Sequence, residues 1–148
     1  MNPSDISITR IPVEHVSDYW DQVSLLLKKG VDESGGRYDL ASLYSQIVQG
    51  EQQLWVVFAV SNEIVAAVTT QFCVYPLKTN LSVVFCGSNE TMGGTSGNWK
   101  KAMSDLIDWA RHLNCDSIEF DGRRGWLKVF KSLGFRESYV AIEREVGE

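Results

Sequence analysis

The spacing of apolar residues changes period several times along the chain, and each change marks an element. Ile6, Ile8 and Ile11 give a short extended pattern, and Pro12 then supplies the fixed φ that suits the first turn of a helix. Val13, Val16, Trp20, Val23 and Leu27 keep helical spacing as far as Gly30, with Leu25 and Leu26 widening the stripe. The run GVDESGGRYD is polar and glycine-bearing and predicts a loop. Asp39 at its end is placed to cap a second helix, which carries Leu40, Leu43, Tyr44, Ile47 and Val48 and stops at Gly50. The β-branched and aromatic runs LWVVFAV and IVAAVTTQFCVYP, joined by the polar SNE, then predict an antiparallel hairpin. Pro76 and the residues LKTN turn the chain into LSVVFCG, the third strand of a meander.

Beyond the glycine-rich stretch between Gly87 and Gly97, Trp99, Met103, Leu106, Ile107, Ala110 and Leu113 predict a third helix ending at Asn114. Ile118 and Phe120 alternate with Ser117, Glu119 and Asp121, the pattern of a strand with one apolar face, and Gly122 breaks it. Strand, helix and strand in one sheet make a parallel crossover, so the antiparallel sheet turns parallel here. Trp126, Val129, Phe130 and Leu133 fall at i, i+3, i+4 and i+7 on one helical face. Gly134 can take the left-handed conformation that ends such a helix, Phe135 makes the accompanying apolar contact, and a final strand is expected to follow. The fold class predicted is a mixed α/β (α+β) single domain over residues 1–148, in the order β-α-α-β-β-β-α-β-α-β.

Composition narrows the function classes. A chain of 148 residues with 44% hydrophobic and 22% charged content buries a substantial core. A net charge of −5 argues against a nucleic-acid or anionic-membrane surface. Cys73, Cys86 and Cys115 are odd in number and lack CxxC spacing, and His15 and His112 stand apart from them, so buried free thiols are expected and no metal site. No basic leader and no run of roughly 20 apolar residues is present, which fits a cytoplasmic protein without a membrane partner.

The order of elements, together with RRGWLKVFKSLGF and the strand-like RESYVAIEREV after it, resembles the GNAT superfamily of acyl-CoA-dependent N-acyltransferases. The family's corresponding helix reads Asn-x-x-Ala-x-x-Leu-Tyr-x-Lys-x-Gly-Phe. Counted back from Gly134 and Phe135, the asparagine position is held here by Arg123, the alanine by Trp126, the tyrosine by Phe130 and the lysine by Ser132. That tyrosine often serves as general acid for the departing thiolate, and phenylalanine has no O–H to give. The family's pyrophosphate loop, Arg/Gln-x-x-Gly-x-Gly/Ala, is matched nearest by Glu90-Thr-Met-Gly93-Gly-Thr95, which leads with a carboxylate, or by Gly94-Thr-Ser-Gly97, which has no lead residue.

The resemblance implies acetyl-CoA or another acyl-CoA as donor and a small-molecule or protein amine as acceptor. Candidate cofactor contacts are Val84, Phe85 and Cys86 along the pantetheine arm, and Gly93, Gly94, Thr95, Ser96, Gly97 and Asn98 around the phosphates. Arg123 and Arg124 are either further phosphate ligands or a solvated charge cluster with Glu119 and Asp121. Trp126 is either core or a platform for the ligand. Glu119 or Asp121 is the candidate acceptor of the amine proton. The alternative function is a non-catalytic GNAT-fold protein that binds a protein partner or self-assembles, for instance a phage-type protein acting on host factors or inside a particle.

Overall fold

The computed structural model describes residues 5–93, 96–122 and 124–147. A five-stranded sheet in the order β1-β2-β3-β4-β5 forms its frame. Strand β1 (Ile6–Ile11) is followed by helices α1 (Val16–Asp32) and α2 (Leu40–Val48). The meander β2 (Gln53–Ala59), β3 (Ile64–Val74) and β4 (Thr79–Ser88) comes next, all of it antiparallel. A single turn α3 (Glu90–Gly93) and the long helix α4 (Ser96–His112) cross to β5 (Ser117–Phe120), which pairs with β4 in parallel as its alternation predicts. The last helix is α5 (Arg124–Phe130), tightened into a 3₁₀ turn over Lys131–Leu133.

The ends of the helices carry the chemistry that stops them. Asp39 accepts from the Ser42 N–H at 2.7 Å while the Ser42 hydroxyl accepts from the Asp39 N–H, a reciprocal cap. Those hydrogen bonds, the Ser42 backbone first, hold the Asp39 carboxyl below the usual range. Gly134 stands at φ 93 and closes the α5 region in the left-handed conformation expected of it.

Strand alternation divides the core into two layers. On one face α1 and α2 bury Val16, Val23, Leu27, Leu43 and Ile47 against Leu54, Val56, Ala67 and Phe85. On the other, Ala102, Met103 and Leu106 of α4 and Phe130 of α5 pack against Trp55, Val57, Val68 and Val83. The backbone of α1 comes close to β4 at Gly87, where a Cβ would lie 1.8 Å from the Leu26 carbonyl oxygen.

Three expectations are corrected. Val13 falls in a 3₁₀ turn before α1 and is 45% exposed, because Pro12 precedes a tighter turn than the apolar spacing suggests. Residues 90–93 of the expected loop wind into α3, for which the Asn89 side chain accepts from the N–H groups of Thr91 and Met92. The final strand does not form, and residues 135–147 carry no strand pairing. Their fastening lies elsewhere: Glu143 meets Arg37 of the α1–α2 loop at 2.9 Å, and Tyr139 lies close enough to Asp121 for that charge to raise its hydroxyl. The alternation that reads as a strand, Val140 and Ile142, is left exposed.

Candidate functional site

Where β4 and β5 part, the fold leaves a crevice. Their pairing runs from Asn80↔Ser117 to Val83↔Phe120 and ends there, while β4 continues to Ser88. The parting begins at an irregularity in β4. Thr69 faces Phe85 and Thr70 faces Val83, so Val84 has no opposite residue and forms a β-bulge. A bulge bends its strand and increases the local twist, which turns the end of β4 away from β5. The Phe85 N–H is satisfied by the Thr69 hydroxyl at 3.1 Å. The bulge therefore sits among the three cofactor candidates of this strand, Val84, Phe85 and Cys86. Their side chains divide between the faces: Phe85 enters the α1/α2 core and touches Tyr38, whereas Cys86 packs on the α4/α5 side. Burial pushes the Cys86 thiol up to about 12, which leaves it a protonated apolar filler.

The first turn of α4 faces the same crevice. Asn98, its third residue, is fully buried, and neither its Oδ1 nor its Nδ2 has a partner among the described residues. An amide left unpaired in the interior costs about 1–3 kcal/mol and calls for an explanation. Gly97 lies beside it in the same turn. Of the other phosphate-loop candidates, Gly93 and Ser96 are described in their backbone alone, as the end of α3 and the start of α4, and Gly94 and Thr95 lie outside the described residues. Arg123 is likewise outside them, and Arg124 is described only as the backbone start of α5.

An aromatic cluster closes the crevice from the α5 side. Trp126 stacks on Phe130 at 5.4 Å with 9° between planes, meets Trp99 of α4 edge-on at 5.2 Å and touches Phe120 at 5.6 Å. Phe130, 2% exposed, also contacts Phe120 and Phe135. The helical face predicted from spacing is thus the buried one, and Trp126 belongs to the core side of it. What remains is an apolar cavity of about 10 Å³ among Val83, Cys86, Trp99, Met103, Phe120 and Phe130. Gly122 is required by this packing, since a Cβ there would lie 2.2 Å from the Phe120 ring.

The two candidate carboxylates stand on the opposite face. Phe120 points toward α4 and α5, so its strand neighbour Glu119 points the other way, where its Oε2 accepts from Asn80 at 3.3 Å and its Oε1 from the Tyr75 hydroxyl at 3.3 Å. Ser117 in turn donates to Asn80 at 2.8 Å. The negative charge of Glu119, followed by Cys73, pushes the Tyr75 hydroxyl up to about 12. Tyr139 is raised by Asp121 first, and Cys73 by burial and then by Glu119. Around the two acids stands a group made of Asn80 and Tyr75, which donate to Glu119, and of Tyr139 and Cys73, which feel the negative charge. Sequence reading found only the acids in it. The signal for the others is that Cys73 and Tyr75 continue the alternate positions of β3, which brings them beside β5 once β4 is placed between.

No family model and no curated protein matches the chain. Solved structures do match its fold along nearly the full length. A probable acetyltransferase superposes with TM-score 0.72 at 14% identity, covering 96% of this chain and 99% of its own. A predicted acetyltransferase of Clostridium acetobutylicum, solved with acetyl-CoA, gives 0.68 at 14% identity and covers 95% and 96%. A GNAT family acetyltransferase of Staphylococcus aureus gives 0.65 at 11% identity and covers 96% and 99%. The chain has the GNAT fold, as its order of elements leads one to expect. Among the described residues no helix is long and apolar enough to cross a membrane, and no group of three or more His, Cys, Asp or Glu is placed to hold a metal.

Proposed function

We propose that this chain keeps the GNAT fold as a binding or assembly module of the cytoplasm and does not transfer acyl groups from coenzyme A. One observation carries this reading: Phe130, Phe120 and Trp99 close round Val83 and Cys86 where β4 and β5 part, with Trp126 stacked on Phe130 and meeting Trp99 edge-on. A pantetheine arm is an extended chain of many atoms, and the cavity of about 10 Å³ left there is at the lower limit for a single water. Phe130 adds that no proton donor stands at the family's tyrosine position. A protein partner or a second copy of the chain is the expected ligand, and exposed Tyr139, Val140 and Ile142 offer apolar surface for it.

A second reading, an acyl-CoA-dependent N-acyltransferase acting on a small-molecule or protein amine, is favoured by Asn98, whose unpaired buried amide lies in the first turn of α4 where an anion would be cradled. On that reading Val84, Cys86 and Asn98 line the donor site, and Glu119 or Asp121 takes the amine proton. Release of free thiol from acetyl-CoA, measured with a panel of amines and amine-bearing peptides, separates the two. The proposal expects no release above the protein-free rate. Amine-dependent release that Glu119→Gln or Asp121→Asn abolishes, with folding intact, establishes the second reading.

A further inference from the structure

We infer that residues 139–143 are a strap with two positions, one tied to the α1–α2 loop and the other laid antiparallel along the open edge of β5. Strand β5 ends the sheet, and no described residue pairs with its outer side. Such an edge presents unpaired N–H and C=O groups to any extended segment that can reach it. None of its four residues is buried, although Leu81 and Val83 beside them on β4 are 0% and 1% exposed. Ile118 and Phe120 therefore keep part of their apolar surface open.

The strap's own position sets the register. Tyr139 already lies beside Asp121, whose charge raises its hydroxyl. Carried antiparallel from that point, Val140 falls opposite Phe120, Ala141 opposite Glu119, Ile142 opposite Ile118 and Glu143 opposite Ser117. Both apolar pairs then share the face on which Ile118 and Phe120 pack toward α4 and α5. A slip of one residue either way would set Val140 against Glu119 or Asp121.

One exposed contact holds the strap off that edge. Glu143 meets Arg37 at 2.9 Å with both side chains more than half exposed, and Val140 and Ile142 are 66% and 93% exposed. The loop that carries Arg37 is seated near the far end of β4, since its Tyr38 packs on Phe85. Phe85 is five positions beyond Asn80, the partner of Ser117, or roughly 15 Å along the strand. Seating Glu143 opposite Ser117 therefore draws it away from Arg37, and the two positions compete. An exposed ion pair contributes little and weakens with salt, so ionic strength shifts the strap toward β5. The consequence for function rests on the partner-binding reading: tied back, the strap offers Val140 and Ile142 to a partner, and seated on β5 it turns them onto Phe120 and Ile118. The strap itself does not depend on that reading, and amine-dependent thiol release from acetyl-CoA would overturn the reading alone.

Amide hydrogen exchange of the full chain, read residue by residue at about 20 mM and about 1 M salt, tests the strap in the unmodified protein and in Glu143→Gln. At low salt the unmodified protein is expected to exchange residues 139–143 with little protection. High salt, or Glu143→Gln at low salt, is expected to slow alternate amides of 139–143 by about tenfold or more. The methyl protons of Val140 and Ile142 should then come within nuclear Overhauser range of Phe120 and Ile118, with the sedimenting mass that of one chain. Equal exchange under all these conditions, or a register other than Val140 opposite Phe120, overturns the inference. So does protection that appears only with a doubled mass, which would place the strap on β5 of a second copy.

Discussion

Phe130→Ala is expected to cost about 3–5 kcal/mol of stability, the range for removing a buried phenyl ring and leaving its space partly unfilled. The ring is 2% exposed and is held by Trp126, Phe120 and Phe135, which come from three segments and cannot all collapse inward together. A domain of this size is stable by only about 5–15 kcal/mol, so the loss is a large share of the total. Urea unfolding followed by tryptophan emission measures it, with a lower midpoint and an unchanged slope as the expected result. A loss below about 1 kcal/mol would mean that the ring is not packed as described.

Gly87→Ala is expected to destabilise through the opposite fault, overpacking, at the upper end of roughly 1–3 kcal/mol. Its Cβ would lie 1.8 Å from the Leu26 carbonyl oxygen and 2.8 Å from the Leu26 carbonyl carbon, both backbone atoms of α1, so the helix itself must move off β4. The helix face that contacts this strand also holds Leu27, fully buried, and a shift of α1 reaches the whole layer. Gly30→Ala is the control on the same helix. There the nearest atoms to a Cβ are at 3.6 and 3.8 Å, ordinary contact distances, and replacing a glycine inside a helix is worth roughly 0.5–1 kcal/mol in favour of alanine. Thermal unfolding of the pair should therefore move in opposite directions, and equal shifts would contradict the close approach at Gly87.

These two sites also mark how far the sequence can be read. Phe130 declares itself, because Trp126, Val129 and Leu133 share its helical face and Gly134 ends the run. The meander, the crossover and the cap at Asp39 are legible for the same reason, since period, turn residues and capping residues are local properties. Gly87 is not legible as a contact. Its neighbour Leu26 is 61 positions away by sequence number, and only the stacking of α1 on β4 brings the two backbones together. The bulge at Val84 is invisible in LSVVFCG because the run reads as an unbroken strand, and a skipped residue appears only when β3 is laid beside it.

The carboxylates and the aromatic cluster show the same limit at the candidate site. Glu119 and Phe120 are sequence neighbours, and alternation alone sends them to opposite faces of β5. The meeting of Trp126 with Trp99 depends on α4 and α5 crossing the same end of the sheet, which spacing within either helix does not tell. The C-terminal residues failed in the other direction. Val140 and Ile142 have the pattern of a strand, but Glu143 is paired with Arg37, a contact that no periodicity foretells.

The central claim, that Trp126 and its neighbours occupy the space a coenzyme A arm would need, is tested most directly by calorimetric titration of acetyl-CoA into the unmodified protein, with Trp126→Ala alongside. The account predicts no saturable heat from the unmodified protein at millimolar acetyl-CoA, whether or not binding appears once the indole is removed. A saturable one-to-one isotherm from the unmodified protein would contradict it.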